Sequence, residues 1–353
     1  MSTSLLIYGA YGYTGRLITQ EAIHRGLTPT LAGRNPEALS AVADRFGLPH
    51  TPVSLQDERG LREALRPADA VLHCAGPFAH TAQPMVEACL ATGTHYLDIT
   101  GEIDVFEALA RRDPQAQERG VTLLPGVGFD VVPTDCLAVH LHEQVDAPAT
   151  ALEIAFLGTG GISTGTLKTA VQQMGRGGLV RREGTLRSVP PGWTTRSVDF
   201  GDHPRTVISI PWGDLSTAAH STGIPNITTY TYMPAPARRL LRWSRVIQPL
   251  LGWAPVQAAL QRVVDWLDPA PTSADRRAGE TKVWAAIRTE EGRVHEARLW
   301  GPEAYTLTAR AAVGAAQQVM ETEGPTGYQT PATALGSSFV WSIKGVKSVE
   351  PDA

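Results

Sequence analysis

Through residue 146 the chain alternates short apolar runs with stretches whose apolar positions recur every three or four residues. Residues 5–9 read as a strand and 15–25 as a helix that turns Leu17, Ile18, Ala22 and Ile23 inward. The alternation continues as strand 28–32 and helix 36–46, strand 50–54 and helix 58–65, then strand 70–76 and helix 83–92. Strand 95–99, helix 102–119 and strand 120–126 complete the series. Strands separated by single helices at this spacing predict a parallel sheet covered on both faces.

From residue 147 the period shortens to two. "ALEIAFLG", "TTRSVDF", "RTVISIP", "NITTYTYM", "TKVWAAIR" and "RVHEARLW" predict longer strands, with one helix near 166–174 among them. The expected fold class is therefore α/β: an N-terminal Rossmann-type doubly wound parallel sheet plus a second α+β domain with a mixed or antiparallel sheet. The expected boundaries are 1–146, 147–325 with its apolar helix 305–322, and a Gly/Pro/Thr-rich tail, 326–353, that returns to the first domain.

Residues 238–253 and 254–269 read as an amphipathic helical pair. Leu240, Trp243, Ile247 and Leu250 share one face; Val256, Leu260, Val263 and Leu267 share the other's. Arg238, Arg239, Arg242 and Arg245 cluster at its start. Three roles stay open: ordinary helices packed on the second sheet, a lid or homodimer element, or a peripheral hairpin contacting a membrane or lipid.

Composition narrows the partners. The 353 residues carry 31 Lys+Arg against 35 Asp+Glu, a net charge of −4, and no basic block, which argues against nucleic acid. Cys74, Cys89 and Cys136 are odd in number and lack C-x-x-C spacing, so neither a disulfide framework nor a zinc site is expected, and a cytoplasmic location fits. The reading expects no signal peptide, and no apolar run reaches the roughly 18–20 residues that span a bilayer. No metal site is expected.

Chemistry concentrates where the predicted strands end. "GAYGYTG" spaces Gly9, Gly12 and Gly15 as G-x-x-G-x-x-G between the first strand and first helix, with Tyr11, Tyr13 and Thr14 between the glycines. Backbone N–H groups at a helix start attract anions, and missing β-carbons let a pyrophosphate approach. In "TLAGRN" the second strand ends at Gly33, Arg34 and Asn35 with no carboxylate, so a guanidinium stands where it would pair with the 2′-phosphate of NADP rather than a bare ribose. "VLHCAGPFAH" supplies Cys74, Ala75 and Gly76 as a flat bed for the nicotinamide ribose, with Pro77 and Phe78 to wall the ring. "YLDITGE" and "PGVGFDVVPTD" bring Tyr96, Asp98, Glu102 and Asp130 to the same edge as proton-donor candidates, beside His80.

"GAYGYTG", "AGR", "CAGPF", "YLDITGE" and "GFDVVPTD" together resemble the saccharopine dehydrogenase-like oxidoreductases, including their trans-acting enoyl reductase branch. The resemblance implies NADP(H), with phosphates at residues 9–15, the 2′-phosphate near Arg34 and the nicotinamide near residues 74–78. Ser54 stands where many members of that family carry an aspartate near the adenine. Beyond residue 140, "STGTLKTA" and "GYQTPATALG" add suggestive matches. Thr164, Thr166 and Lys168 in the former are candidate contacts for a substrate carboxylate or thioester carbonyl; helix capping is the competing role of the threonines.

No tyrosine has a lysine four residues on, so the Tyr-x-x-x-Lys route of short-chain dehydrogenases is excluded. "GVGFD" lacks the serine of a nucleophile elbow. The expectation is an NADPH-dependent oxidoreductase reducing an activated C=C, C=O or C=N bond of a small or lipid-like metabolite. The alternatives are a non-catalytic NADP-binding sensor or scaffold and a saccharopine-type C–N bond dehydrogenase, the latter resting on Lys168, Arg176, Arg181 and Arg182.

Overall fold

The computed structural model describes residues 3–349 apart from 162, 174–176, 268–269 and 323; the side chains at 166, 169–170, 172–173, 244–250 and 265 also lie outside the described set. Two compact units share the chain: one comprises Met1–Val132 and Tyr305–Lys344, the other Pro133–Ala304 and Gly345–Ala353.

The first unit runs β1 (Leu5–Tyr8), α1 (Tyr13–His24), β2 (Thr30–Gly33), α2 (Pro36–Phe46), β3 (His50–Pro52), α3 (Glu58–Leu65), β4 (Ala70–His73) and α4 (Phe78–Thr92). It continues through β5 (His95–Asp98), α5 (Ile103–Ala110), α6 (Asp113–Glu118) and β6 (Thr122–Leu124). Every pairing in its seven-stranded sheet is parallel, in the order β15-β6-β5-β4-β1-β2-β3, where β15 is Gly327–Tyr328. Strands β1 and β4 are buried along their whole length because helices cover both faces, which is why they read as unbroken apolar runs. The order reverses between β1 and β4, so the crevice above their carboxyl ends is the topological switch point where ligands bind in such sheets.

The second unit begins with most of α7 (Val132–His142), then β7 (Ala149–Gly158), α8 (Thr164–Gln173), β8 (Gly178–Arg182), β9 (Thr185–Val189), β10 (Thr195–Asp199), β11 (Pro204–Ser209), α9 (Asp214–Thr222) and β12 (Ile227–Tyr232). The pair α10 (Ala235–Leu251) and α11 (Ala254–Leu267) follows, then α12 (Ser273–Ala278), β13 (Glu280–Thr289) and β14 (Val294–Pro302). The chain returns to the first unit with α13 (Ala304–Glu321), β15, α14 (Pro331–Leu335) and α15 (Phe339–Ser342), and ends in β16 (Lys347–Ser348), paired to β14. The second sheet has nine strands and is mixed: β12 and β7 are parallel, while β10–β11, β11–β12, β7–β13 and β13–β14 are antiparallel.

Several details depart from the sequence expectations: the second unit begins at Pro133 rather than 147, α4 begins at Phe78 rather than 83, α9 was not expected among the strands, and four further differences have a physical reason. The helix expected at 102–119 is two, because Pro114 can start a helix but not continue one, and it opens α6. The β8–β9 hairpin was not anticipated; it turns on Glu183 and Gly184, both at positive φ, the conformation that matches strand twist in tight hairpins. Helix α13, expected in the second domain, falls in the first unit, where Arg25 donates to the Arg310 carbonyl at 3.0 Å. Of the apolar residues grouped on α10 and α11, Leu240 is 71% and Trp243 74% exposed and Val263 and Leu267 are also exposed, while Val256 and Leu260 are half-buried, so ordinary packing on the second sheet accounts for only part of each face. Ile247 and Leu250 lie outside the described side chains.

Trp284 on β13 is 1% exposed and packs with Ala155, Val198, Phe200, Val207 and Tyr230, while the Arg196 guanidinium lies 4.8 Å from its ring centroid. Trp284→Ala should cost the protein about 3–5 kcal/mol, read from denaturant unfolding followed by circular dichroism. A loss below about 1 kcal/mol would show that this cluster does not hold the second sheet.

Candidate active site

Contacts link the candidate loops of the first unit across the carboxyl edge of its sheet. Gly9 has φ +82° and turns the chain out of β1; a β-carbon there would meet the Ala75 Cβ at 2.9 Å. Gly15 lies so close to β1 that a β-carbon would fall 2.3 Å from the Gly9 carbonyl oxygen. At Gly12, by contrast, an added β-carbon would meet only the Gly9 oxygen within 4 Å, at 3.2 Å. Internal packing thus requires a glycine at 9 and at 15, and Gly12 is the least crowded of the three, its one close neighbour being the Gly9 oxygen. Gly12 is also the N-cap of α1, which has no side-chain cap and no acid in its first turn. Such an end favours an anion. Tyr11 covers Gly33, Tyr13 stands edge-on to Tyr305 at 5.0 Å, and Thr14 is half-buried beside them.

Arg34 is exposed just after β2 and has no hydrogen bond or ion pair among the described residues. Asn35 beside it is the N-cap of α2, its side chain accepting from the Ala38 N–H at 3.1 Å. Ser54 donates to Gln56 Oε1 and accepts from the Gln56 N–H at 3.3 Å, closing a small turn after β3. Cys74 and Ala75 are half-buried and Gly76 is exposed ahead of Pro77. Burial pushes the Cys74 thiol up, so it stays protonated.

Several candidates hold the edge together. Pro77, the N-cap of α4, offers no side-chain acceptor, and the helix has no acid in its first turn. The Glu102 carboxylate supplies both acceptors from the next loop, taking the Phe78 N–H at 2.8 Å and the Ala79 N–H at 2.9 Å. Asp98 is fully buried and accepts from the Thr100 N–H and the Gly126 N–H, each at 2.9 Å, and from the Tyr96 hydroxyl at 2.6 Å. Burial raises the Asp98 carboxyl to about 6 against the opposing pull of those donors. Tyr96 is 0% exposed in the core, and burial followed by the adjacent Asp98 charge drives its hydroxyl well above the usual tyrosine range. Phe78, expected to wall the nicotinamide, instead lies in the core with its ring edge-on to His73 at 5.4 Å, because α4 begins there and turns its first apolar side chain inward.

Asp130 is different. It is half-buried and packs over Gly101, where a β-carbon would lie 2.6 Å from its Oδ2. Burial raises its carboxyl to about 7, so it can hold a proton near neutrality. His80 is exposed on α4.

Sequence reasoning missed two features here. His73 is fully buried at the end of β4 with neither ring nitrogen hydrogen-bonded, and burial lowers its pKa to about 3; nothing in its spacing marks it. Thr308 accepts from the Phe129 N–H at 3.0 Å and packs on Gly128, steadying the loop before Asp130 from α13, almost 180 residues away. In the second unit, Thr164 and Lys168 are half-buried on α8, where the Lys168 carbonyl accepts from Gln261 at 3.0 Å, and the Thr166 side chain lies outside the described residues. That unit has a cavity of about 610 Å³ lined by Glu153, Arg182, Trp193, Thr228, Tyr230 and Arg288.

Residues 5–124 match the family model described as the saccharopine dehydrogenase NADP binding domain, so this stretch is an NADP-binding domain of that kind. Over 210 residues the chain is 31% identical to a saccharopine dehydrogenase-like oxidoreductase of Mus musculus, covering 52% of this chain and 48% of that one. It is 30% identical over 154 residues to a trans-acting enoyl reductase of Mycobacterium ulcerans, covering 41% and 37%. The chain spans about half the length, or less, of these curated relatives. Among solved structures, apo saccharopine dehydrogenase (L-Glu forming) from Saccharomyces cerevisiae aligns over 99% of this chain and 100% of its own with a TM-score of 0.63 at 12% identity, a likeness of fold. No described helix is long and apolar enough to cross a membrane.

If Glu102 fixes the 74–78 loop, Glu102→Gln should lower stability by about 1–3 kcal/mol in urea unfolding, since one acceptor and the charge on both hydrogen bonds are lost. An unchanged midpoint would mean that the two N–H groups do not depend on this carboxylate.

Proposed function

Starting from an NADP-binding domain of the saccharopine dehydrogenase kind, we propose that the chain is an NADPH-dependent oxidoreductase that reduces an activated C=C, C=O or C=N bond of a small metabolite in the cytoplasm. The observation that carries the cofactor reading is Arg34: an exposed guanidinium without an acidic partner among the described residues, one residue past β2, in the sheet whose first helix, α1, starts at Gly12 without a side-chain cap. In this reading the backbone of residues 9–15 binds the diphosphate and Arg34 binds the 2′-phosphate. Asn35 and Ser54 flank the adenosine, and residues 74–77 bed the nicotinamide ribose. NADPH supplies a hydride there. The protein must orient the acceptor and deliver a proton.

Asp130 is the proposed proton donor among Tyr96, Asp98, Glu102 and Asp130: it is half-buried over Gly101, and burial raises its carboxyl to about 7, where it can hold and release a proton near neutrality. Thr164, Thr166 and Lys168 are the proposed substrate contacts. The tryptophans of α10 and α11 are exposed, so they give no support to a lipid-lined substrate pocket, and the substrate is kept to a small molecule.

A second reading rests on the same accounting. Tyr96, Asp98 and Glu102 have structural partners, as expected of an NADP-binding sensor that performs no turnover. Oxidation of NADPH across a panel of enals, ketones and imines separates the two: turnover with any acceptor removes the sensor reading.

Two measurements test the assignments. Arg34→Ala should weaken NADP binding by about 1.5–3 kcal/mol and leave NAD nearly unchanged, by titration calorimetry; equal effects on both would remove the 2′-phosphate assignment. With an acceptor in hand, the rate should fall as pH rises through about 7, because the raised pKa keeps Asp130 protonated below that value. Asp130→Asn should abolish that limb and cost about 10²–10⁴-fold in kcat. A retained limb in the variant would assign the proton to another group.

A further inference from the structure

Helices α10 and α11 expose the side chains that a folded protein ordinarily hides. Trp243 is 74% exposed, Trp266 84%, Trp253 59% and Leu240 71%, with Val263 and Leu267 also over half exposed. Scattered exposed apolar residues are ordinary; three tryptophans and three aliphatics within 28 residues are not. On α11, Val263, Trp266 and Leu267 follow i, i+3, i+4 spacing and so share one face.

The opposite sides of both helices are already in use. Gln257 and Gln261 of α11 donate to the Val171 and Lys168 carbonyls of α8, each at 3.0 Å, and Val264 is 4% exposed. Arg238 of α10 donates to the Met233 carbonyl at 2.6 Å and the Thr206 carbonyl at 3.4 Å. Among the described side chains, those contacts hold the pair to the second unit while Leu240, Trp243, Trp253, Val263, Trp266 and Leu267 stay exposed.

Charge identifies the occupant. Residues 235–267 hold five arginines and one aspartate, in a chain with 31 Lys+Arg against 35 Asp+Glu. Arg239 and Arg262 are exposed with no acidic partner among the described residues. A second copy of an overall acidic chain would meet this patch with an equally basic patch of its own in a twofold contact. An anionic lipid surface instead offers headgroup phosphates to the arginines and an acyl boundary to the indoles, which prefer that interface. Among the described residues, neither helix is long and apolar enough to cross a membrane.

We propose that the α10–α11 pair is an interfacial docking element that lays its tryptophan side onto an anionic membrane surface. The proposal is independent of the NADP reading, because none of its residues belongs to the nucleotide-binding unit.

Co-sedimentation of the full chain with vesicles tests it. Binding is expected to phosphatidylcholine vesicles doped with phosphatidylglycerol, with release at high salt, and not to phosphatidylcholine alone. Trp243→Ser combined with Trp266→Ser should weaken that binding by about tenfold or more, as should Arg239→Glu with Arg262→Glu. Both variants should keep the parent's circular dichroism and NADP affinity. Three results would overturn the proposal: no binding to either vesicle at low salt, equal binding to both, or binding indifferent to the tryptophan substitutions. So would a dimer in sedimentation equilibrium that the tryptophan variant disperses, in the absence of vesicle binding.

Discussion

Helix α1 starts in contact with the end of β1, and residue 15 allows this because it has no β-carbon. With one, 2.3 Å would separate it from the Gly9 carbonyl oxygen, and the helix would have to move away from the sheet. The same oxygen accepts from the Gly12 N–H at 3.0 Å, so the turn is closed on both sides by one carbonyl. Gly9 in turn presses on Cys74 and Ala75, which ties the end of β1 to the end of β4. The open start of a helix is thereby held at the switch point of the parallel sheet, where its amides and dipole act on whatever enters the crevice. Without this close approach the sheet could still form, but the anion site would have no fixed position.

The remainder of that edge is built by carboxylates. Glu102 replaces the cap that Pro77 cannot provide, and Asp98 joins the loop after β5 to the loop after β6 through the Gly126 N–H. The loop after β5 is thus held by its own residues, Asp98 to Thr100 and Thr100 to Glu102, and in turn positions the loops after β4 and β6. A substitution at Glu102 or Asp98 that abolished activity would report lost support before it reported lost chemistry, since an unmade hydrogen bond to a buried N–H is itself costly. Asp130 lies over Gly101 with its carboxyl raised by burial to about 7, at the end of a loop that Thr308 steadies from behind, so the pH dependence of a variant separates support from chemistry there.

What the sequence made legible was local. The strands of the first unit, the glycine turn and the bare guanidinium after β2 all depend on residues within a few positions of one another, and pattern reading recovers such features. What it missed depends on partners far along the chain. "YLDITGE" displays three acidic or hydroxylic candidates at a strand end, but only the fold shows that Glu102 reaches back to Phe78 and that Tyr96 is bonded to Asp98. The unit boundary near residue 304 was misplaced for the same reason, because α13 carries an apolar pattern that fits either sheet and no local mark says which. The β8–β9 hairpin was missed because its turn places Glu183, rather than asparagine or glycine, at positive φ.

The helical pair shows a different limit of periodicity. An apolar stripe at helical spacing states that a face prefers to leave water; it does not state what covers it. In the first unit the sheet covers such a face on α1, where Ile18 and Ala22 are fully buried, although Leu17 is half-buried and Ile23, also expected inward, is exposed. On α10 and α11 the chain combines glutamine and arginine hydrogen bonds with a partial apolar foothold, Val264 buried and Leu241, Val256 and Leu260 half-buried. Polar bonds of that kind contribute about 0.5–1.5 kcal/mol each, enough together to orient a helix without burying its stripe. The exposed indoles are therefore a consequence of how the pair is anchored, and its apolar face stays available while the second sheet keeps a complete core of its own.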